Sequence, residues 1–295
     1  MSHGLDADRI ATALLSRLRR PDAAEWTGRI SVLASTGSTN DDARRWAQEG
    51  VPHGSAVFAE EQQDGRGRKN GRWCAPAGKN LTFSAVLRPD LSTEFWPRMA
   101  HAAALAVSRA IDSWLAPVRV EVKWPNDLMV AGRKLGGILV EASLARSNPF
   151  LVVGIGLNVN SAPGEFATEG LECRVASVWD RNGGREADRN EMAGAILAEL
   201  LEQSQRCGAE FASVLDELRE RSWLLGKQVC VWERGSLFRG EAIGFGGNGE
   251  LQLRVSGEAG GGGEVREVVT ADLVRLASEE LEFPREHGNS MAKET

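Results

Sequence analysis

The chain has little cysteine, and its cysteines are scattered. They are Cys74, Cys173, Cys207 and Cys230, with no C-x-x-C pair among them and no nearby pair of histidines. This pattern favours neither a zinc site nor the disulfide framework of a small secreted domain. We therefore expect free thiols, as in a protein of a reducing compartment.

Long apolar runs and an excess of positive charge are also missing. No run reaches the length of a transmembrane helix, and the first residues lack the apolar stretch of a signal peptide. The formal net charge is −6, whereas a general nucleic-acid binder usually carries a basic face over its whole domain. We therefore predict a cytoplasmic protein that binds neither membrane nor nucleic acid.

The strongest local signal is a basic, glycine-rich segment at 65–73. It reads Gly-Arg-Gly-Arg-Lys-Asn-Gly-Arg-Trp, with four cations in its first eight residues. Glycine lets backbone N–H groups approach an anion closely, and guanidinium groups supply charge and a fork of donors. In an acidic chain this segment indicates a local site for a small anion, although by itself it is equally typical of a flexible basic loop.

A second cluster, Lys-Trp-Pro-Asn-Asp at 123–127, lies in a predicted β-hairpin. The strand-like run 118–122 precedes it, and Gly132 marks a second turn before another β-rich run. The hairpin thus carries a lysine and an Asn-Asp pair at one end and Lys134 at the other. Taken singly, the Asn-Asp pair is typical of an ordinary Asx turn, and the tryptophan of a buried aromatic side chain.

Two further signals are a glycine-interrupted strand and a helix start. The apolar run 153–160 contains Gly154 and Gly156, and glycine within a strand often marks the close approach of a ligand or another backbone. Ser38 and Thr39 begin a predicted helix, where free N–H groups can meet polar atoms of a ligand. Simple capping explains either hydroxyl equally well.

Together and in this order, these segments resemble the biotin–protein ligase family, the biotin–[acetyl-CoA carboxylase] ligases. The resemblance adds Ser-Thr-Gly-Ser-Thr-Asn at 35–40, Ala-Glu-Glu-Gln-Gln at 59–63 and Arg-Ser-Trp-Leu-Leu-Gly at 221–226. It covers roughly residues 30–277. About thirty residues precede the first motif, too few for the DNA-binding domain that some members carry, so we expect the short form without repressor activity.

One motif departs from the family pattern. The family's loop usually reads G-R-G-R-x-G-R-x-W, whereas here Gly71 and Arg72 stand one place later than that pattern requires. Arg66 and Arg68 precede the shift, so the roles implied for them are unaffected. Roles for Gly71 and Arg72 are left open.

The resemblance implies an α+β fold: a mixed β-sheet catalytic domain packed with helices, like that of class II synthetases, followed by a small SH3-like β-barrel. A chain of 295 residues, 42% of them hydrophobic, suits one large and one small domain. We predict a helical segment at 1–26, the catalytic domain at 27–224, the barrel at 225–277 and a disordered tail at 278–295.

Hydrophobic periodicity places the individual elements. Helices are predicted at 5–20, 42–49, 96–115, 190–206 and 210–221. Strands are predicted at 29–34, 55–61, 81–88, 118–122 and 153–158, then near 229–232, 237–242, 251–255, 265–269 and 273–276, with a glycine-rich hairpin loop at 257–263.

The implied activity is two-step biotinylation. Biotin's carboxylate attacks the α-phosphate of ATP to give biotinyl-5′-AMP, and a lysine of a biotin carboxyl carrier protein then attacks that mixed anhydride. Biotin, ATP and Mg²⁺ are the implied ligands, with the metal ligands unknown. Family members can pair through an edge of the catalytic sheet, so a homodimer is compatible with the resemblance.

The resemblance also assigns residues to roles. Biotin binding is implied for Ser38, Thr39, Asn40, Gln62, Arg66, Gly67, Arg68, Lys134 and Gly137. Nucleotide binding is implied for Arg66, Arg68, Trp73, Lys134, Gly156 and Asn158. The catalytic set is Arg68, Lys134, Lys123, Asn126 and Asp127, which bring two anions together and orient the triphosphate, its Mg²⁺ or the incoming lysine.

Three alternatives stay open. The nearest is a lipoate or octanoate transferring enzyme of the same fold, against which the Gly-Arg loop and the Lys-Trp-Pro-Asn-Asp segment speak. A biotin-responsive transcriptional regulator is a second alternative, disfavoured by the acidic charge. A protein that only sequesters biotin is the third, if the shifted residues at 70–72 disable the loop.

Overall fold

Two β-sheets organise the part of the chain that the structure describes. In this computed structural model that part comprises residues 4–18, 26, 28–68, 71–145, 148–169, 175–255 and 263–278. A seven-stranded mixed sheet comes first and a five-stranded antiparallel sheet follows. The predicted α+β architecture is confirmed.

The seven-stranded sheet has the strand order β1-β2-β3-β7-β6-β5-β4. Only the β1–β2 pair is parallel, and the other neighbours are antiparallel. The strands are β1 Ile30–Leu33, β2 Ala56–Ala59, β3 Leu81–Leu87, β4 Glu121–Lys123, β5 Asp127–Val130, β6 Arg133–Ser143 and β7 Phe150–Leu157.

Helices cover both faces of this sheet. They are α1 Ala7–Leu15, α2 Thr39–Gln48, α3 Arg98–Leu115, α4 Val178–Arg181, α5 Arg189–Gln205 and α6 Phe211–Glu220, with 3₁₀ turns at Thr93–Phe95 and Pro163–Glu169. Alternate residues of β3 belong to two different cores: Phe83 joins the main core with α3 and α5, and Val86 joins a smaller one under α2. Every residue of β3 is therefore buried.

The second sheet has the order β11-β10-β9-β8-β12. Its strands are β8 Gln228–Glu233, β9 Ser236–Phe245, β10 Leu251–Val255, β11 Glu264–Val268 and β12 Leu273–Leu276. Its short strands and glycine turns follow the predicted pattern closely. The exact domain boundaries stay predictions, and the predicted tail and glycine-rich loop lie, except for residues 278 and 263, outside the described residues.

Several element boundaries differ from the sequence-based expectation: α1 ends at Leu15 and not at residue 20, and β7 begins at Phe150 and not at residue 153. Two further differences have a visible cause in the fold. Helix α2 begins at Thr39 and not at residue 42, because the Gln62 side chain, remote in sequence, accepts the hydrogen bond of the Thr39 N–H. Strand β4 spans Glu121–Lys123 and not 118–122, because β5 offers paired partners only to those three residues. Both differences arise from tertiary contacts that local periodicity does not record.

None of the helices in the described ranges is long and apolar enough to cross a membrane. Cys74, Cys207 and Cys230 are free thiols, and Cys173 lies outside the described residues. Burial raises the pKa of the Cys207 thiol to about 12. This thiol is therefore protonated and unreactive at neutral pH.

The crossing of α1 and α5 depends on Gly194. A Cβ at this position would lie 2.6 Å from the Cβ of Ala13 and 2.6 Å from the backbone nitrogen of Leu14. Alanine normally stabilises a helix interior by about 1 kcal/mol relative to glycine. We expect Gly194→Ala to lower the free energy of unfolding instead, by about 1–3 kcal/mol, because of overpacking. Denaturant unfolding measures the sign, and a more stable variant would contradict this account.

His101 on α3 is predicted to make stability depend on pH. Desolvation by burial lowers its pKa from 6.5 to about 4, and the nearby Glu250 carboxylate opposes this only in part. Between these two pH values the unfolded chain binds a proton that the folded chain does not. The free energy of unfolding should therefore fall as the pH is lowered from 6.5 to 4, by about 3 kcal/mol in all.

This pH dependence is measured by denaturant unfolding at several pH values in that window. The matched variant is His101→Gln, which is neutral throughout, so other groups such as His53 titrate equally in both proteins. The slope of stability against pH is the readout, not the absolute value. Equal slopes for wild type and variant would rule out His101 as the source.

Candidate active site

A cavity of about 250 Å³ lies between the Gly-Arg segment, the strands β5–β7 and one loop of the second sheet. Its lining includes every predicted site residue except Asn158: Ser38, Thr39, Asn40, Gln62, Arg66, Gly67, Arg68, Trp73, Lys123, Asn126, Asp127, Lys134, Gly137 and Gly156. The fold thus brings together motifs that are up to about a hundred residues apart in the sequence. Their chemical roles remain predictions.

The Gly-Arg hairpin (65–73) folds back on itself beside this cavity. The Trp73 N–H donates to the Gly65 carbonyl at 2.9 Å, and the Gly67 N–H donates to the Gly71 carbonyl at 2.6 Å. A Cβ on Gly71 would lie 2.9 Å from the Arg68 carbonyl oxygen. Glycine at this shifted position therefore closes the hairpin, although residues 69 and 70 lie outside the described residues.

The side chain of Arg66, a residue of the Gly-Arg hairpin, lies against the first turn of α2. Its two terminal nitrogens donate to the two carboxylate oxygens of Asp41, each at 2.8 Å, and one of them reaches Glu141 at 3.3 Å. The hydrogen bonds to Asp41 raise the pKa of the Arg66 guanidinium, burial opposes them, and the Glu141 charge adds to the increase. Arg66 is therefore held at the cavity wall by carboxylates.

Arg68 connects the hairpin to the second sheet. Its guanidinium donates to the Asn126 side-chain oxygen at 3.4 Å, to the Thr270 hydroxyl at 3.3 Å and to the Ala271 carbonyl at 3.4 Å. Burial lowers the pKa of Arg68, whereas the charges of Asp127 and Asp272 raise it. These contacts are long, so the guanidinium still has donor capacity for an anion.

Lys134 and Asp127 form an ion pair inside the cavity. The Lys134 ammonium lies 2.6 Å from the Asp127 carboxylate, and both side chains are partly exposed. The sequence-based expectation put this lysine at the opposite end of the hairpin from the Asn-Asp pair. The short strands bring the two ends together, since Asp127 pairs with Gly137, three residues after Lys134.

Lys123 is the other cation of the β4–β6 region that lines the cavity. Its ammonium lies 5.2 Å from the centroid of the Trp223 ring, within the range of a cation–π contact. Trp223 belongs to the Arg-Ser-Trp motif at 221–226, which pairs with β4 through its backbone. The motif that precedes the second sheet in the sequence thus positions a lysine of the cavity.

The start of α2 forms the polar end of the cavity. The Gln62 side-chain oxygen accepts from both the backbone N–H and the hydroxyl of Thr39, at 2.8 and 2.9 Å. The Ser38 hydroxyl makes no capping hydrogen bond. Neither hydroxyl caps the helix, which favours ligand binding over the capping explanation for Ser38.

Asn40 is held firmly behind this polar end. Its amide nitrogen donates to Glu141 at 2.8 Å, and the Ser84 hydroxyl lies 2.6 Å from its side-chain oxygen. A Cβ on Gly154 would lie only 2.2 Å from that oxygen. The first glycine of the interrupted strand therefore makes room for Asn40 and not for a ligand.

Gly156 likewise makes room for a side chain of the protein. A Cβ there would lie 2.5 Å from Cε2 of Trp73, whose ring therefore lies flat against the strand. The Trp73 indole nitrogen is buried and has no hydrogen-bond partner among the described residues. By contrast, a Cβ on Gly137 would meet nothing closer than the Lys134 side chain at 3.7 Å. Gly156 thus positions the aromatic wall of the cavity.

Asn158 is the one predicted site residue that the structure does not bring to the cavity. It is buried, and its amide nitrogen donates to the Ala176 carbonyl at 3.1 Å. Its side-chain oxygen has no partner among the described residues. The position after β7 points this side chain toward the segment before α4, so its predicted nucleotide contact is not supported by its location.

Several cavity residues were missed by the sequence-based prediction. Ala271, Asp272, Leu273 and Val274 line the cavity from the second sheet, and no motif marks them. Glu141 was not predicted either; it does not line this cavity, but it contacts Asn40, Arg44 and Arg66 beside it. A lone carboxylate within the apolar strand β6 is the signal that would have identified it.

A second, wider cavity of about 1040 Å³ lies across the Gly-Arg hairpin from the first. It shares Arg66, Arg68 and Asn126 with the smaller cavity, but Lys123 and Lys134 do not line it. Its other charged groups include Glu94, Glu141 and Glu250. The groups suited to anions therefore converge on the smaller cavity, which we take as the active site.

Comparisons with known proteins define first a class and then a family. A sequence model of the Biotin/lipoate A/B protein ligase family matches residues 32–160. The biotin–[acetyl-CoA-carboxylase] ligase of Mycobacterium tuberculosis is 34% identical over 239 residues, which cover 77% of this chain and 84% of the relative. The chain belongs to the biotin–protein ligase family, as the motifs predicted.

Two further similarities agree with this assignment. The bifunctional ligase/repressor BirA of Bacillus subtilis is 32% identical over 230 residues, covering 76% of this chain and 68% of the relative. The structure of the biotin protein ligase from Aquifex aeolicus in complex with biotin and ATP superposes with a TM-score of 0.68 at 23% identity, covering 84% of this chain and 99% of that one. At that identity, the structural similarity shows the fold alone.

Proposed function

We propose that this protein is an ATP-dependent ligase that activates biotin to biotinyl-5′-AMP and transfers the biotinyl group to one lysine of a biotin carboxyl carrier protein. The observation that carries the proposal is one cavity that joins the polar start of α2, at Ser38 and Thr39, to Arg68, Lys123 and Lys134. The helix start suits a neutral, polar ring system, and the cations suit two anions that must meet.

In the first step, an oxygen of the biotin carboxylate bonds to the α-phosphorus of ATP while the bond to the β-phosphate oxygen breaks, so that pyrophosphate leaves. No nucleophile of the protein is needed. Two anions must approach, and charge grows on the phosphoryl oxygens in the transition state. Lys134 and Arg68 are assigned to neutralise that charge, because both cations line the cavity.

Biotin is assigned to the end of the cavity formed by α2. Ser38, Gln62 and Thr39 offer hydroxyl and amide groups to its ureido ring, and Asn40 supports them through its contacts behind the helix start. Arg66 and Gly67 lie between this end and Arg68, where the carboxylate is to react. The apolar residues Ile138, Leu139 and Ile155 line the same cavity and suit the aliphatic chain.

ATP is assigned to the same cavity, with Trp73 and Gly156 among the residues that line it. Mg²⁺ enters as part of its substrate complex, since this ion keeps several waters and binds through phosphates and one or two carboxylates. Among the described residues no group of three or more His, Cys, Asp or Glu suits a metal ion. Asp127 and Asp272 line the cavity and can supply such carboxylates, so the cavity fits an ion carried by the nucleotide.

In the second step, the amine of a carrier lysine bonds to the carbonyl carbon of biotinyl-5′-AMP, AMP leaves and the amine loses a proton. Lys123, Asn126 and Asp127 are assigned to orient this amine or the triphosphate before it. The relative from Mycobacterium tuberculosis is named as a ligase of acetyl-CoA carboxylase. A carboxylase carrier domain is therefore the proposed protein substrate.

The proposal is tested with the purified full chain, biotin, α-labelled ATP and Mg²⁺, without carrier. We expect biotin-dependent release of pyrophosphate and retention of labelled adenylate, and no release when lipoate or octanoate replaces biotin. Release with lipoate instead would assign the protein to the lipoate ligases of the same fold. Biotin binding without pyrophosphate release would indicate a sequestering or regulatory protein.

Other sequence-based expectations stay predictions. They are the cytoplasmic location, the lack of nucleic-acid binding, the possibility of a homodimer and the domain boundaries. A gel-shift experiment with the upstream DNA of its own gene tests the regulator alternative, which predicts a biotin-dependent complex. Sedimentation with and without biotin and ATP tests the homodimer.

A further inference from the structure

The second sheet reaches the 123–127 segment through one buried hydrogen bond. The indole N–H of Trp124 donates to the carbonyl of Gly249 at 2.9 Å, and the contact is buried. Gly249 lies in the hairpin between β9 and β10, which we call the 246–250 hairpin. This hairpin is closed by the bond from the Gly246 N–H to the Glu250 carbonyl at 2.8 Å.

Gly249 itself fits only as glycine. Its φ is +91°, and a Cβ would lie 2.2 Å from Nε2 and 2.4 Å from Cδ2 of His101. His101 is buried on α3 and also faces Phe245 and Phe211, at ring distances of 6.4 and 6.3 Å. The imidazole thus forms a wall against which the hairpin backbone packs.

Arg98, at the start of α3, holds the same hairpin from the other side. Its guanidinium donates twice to the Asn248 side-chain oxygen, at 2.9 and 3.1 Å, and once to the Cys207 carbonyl at 2.9 Å. The hairpin is therefore fixed to α3 by the guanidinium of Arg98 and by packing against the imidazole of His101. Neither Arg98, His101 nor Gly249 lines the 250 Å³ cavity.

The 123–127 segment is held by the large sheet at both ends, since Lys123 is the last residue of β4 and pairs with Asp127 of β5. Asn126 exchanges two hydrogen bonds with Ile138 of β6, at 2.8 and 3.0 Å. Between these attachments, the side chain of Trp124 has its hydrogen bond with the 246–250 hairpin. Trp124 follows Lys123 directly and precedes Asn126 by two residues, so the chain passes a shift of the indole to both cavity residues.

We propose that the 246–250 hairpin is a positioning element of the reaction, in which Gly249, His101 and Arg98 fix Trp124 and thereby hold Lys123 and Asn126 in their reactive places. This inference rests on the proposed function. It predicts that changes in the hairpin lower the rate of the chemical step more than they weaken substrate binding. A merely structural role predicts loss of folded protein and an unchanged rate per folded molecule.

The main variant is Gly249→Ala, and its matched control is Gly50→Ala. Gly50 has a φ of +90°, nearly the same as that of Gly249, but a Cβ there would meet nothing within 4 Å. The two variants therefore share the backbone strain and differ in the collision with His101. We expect Gly249→Ala to lower the kcat of pyrophosphate release by about tenfold or more, with the KM for biotin changed by less than about threefold.

A double variant tests the collision directly. His101→Ala removes the imidazole that the new methyl group would strike, so Gly249→Ala/His101→Ala should be faster than Gly249→Ala. Trp124→Phe removes the indole donor together with part of the buried ring, and it should lower kcat with folding retained, as measured by circular dichroism. If Gly249→Ala does not fold, the kcat of Trp124→Phe tests the positioning role instead.

The outcomes separate this inference from the proposed function. No biotin-dependent pyrophosphate release by the wild type would overturn the function itself. An active wild type with Gly249→Ala indistinguishable from Gly50→Ala, or with Trp124→Phe at full kcat, would overturn the positioning role alone. A slower Gly249→Ala with rescue by His101→Ala and an unaffected Gly50→Ala would support it.

Discussion

Replacing Lys134 by alanine is expected to lower biotin-dependent pyrophosphate release by about 10²–10³-fold, as for the loss of one electrostatic donor in a preorganised site. The ammonium lies in the cavity, 2.6 Å from the Asp127 carboxylate. Its removal withdraws a positive charge from the reacting phosphoryl group. It also leaves Asp127 without this counter-ion, and the carboxylate then repels the phosphate.

A second variant gives this prediction another arm. Lys134→Arg keeps a positive charge beside Asp127 and should regain part of the rate that Lys134→Ala loses. Lys79→Ala is the matched control, because Lys79 also pairs with a carboxylate, Glu165, but lies outside the cavity. Near-wild-type turnover by folded Lys134→Ala would remove Lys134 from the catalytic set.

Replacing Arg68 by alanine is expected to slow adenylate formation by about 10²-fold or more and to let adenylate escape. Arg68 is both a cation of the cavity and the link from the Gly-Arg hairpin to Thr270 and Ala271. The rate is read from pyrophosphate release. Escape is read from biotin attached to an added bystander protein, normalised to adenylate formed.

Two comparisons sharpen the Arg68 experiment. Arg68→Lys keeps the charge but loses the fork of donors. Compared with Arg68→Ala, it should release pyrophosphate faster but should let nearly as much adenylate escape. Arg254→Ala removes an exposed arginine of the second sheet that pairs with Glu241 at 2.8 Å, and it should behave as wild type. An Arg68→Ala variant that is slow but retains its adenylate would argue against a closing role of the hairpin.

The sequence was sufficient to predict the family, the fold class and half of the residues that line the cavity. The reason is that the cavity is built from short, chemically unusual segments whose order is itself a signal. The Gly-Arg hairpin, the 123–127 segment and the start of α2 each have an ordinary explanation when taken singly, but their order along the chain is typical of one family. Where these segments meet, local signals and the tertiary arrangement agree.

What could not be predicted depends on contacts between distant residues. The side chain of Gln62, which is not part of α2, accepts the hydrogen bond of the Thr39 N–H, and the helix therefore begins at Thr39 and not at residue 42. Asn158 looks like a strand-end amide facing a ligand, but its nitrogen bonds to Ala176 instead. The partners of Arg68 at Thr270 and Ala271 are about two hundred residues away. No periodicity or motif in one segment carries such information.

Residues of both sheets line the active cavity, and this has a consequence for unfolding. An occupant that touches Lys134 on β6 and Leu273 on β12 binds only while both sheets are folded. By linkage, such an occupant stabilises both sheets by the same free energy. If the two sheets melt separately without a ligand, saturation with biotinyl-5′-AMP should therefore make them melt in one cooperative transition. The reaction intermediate then couples the unfolding of one sheet to that of the other.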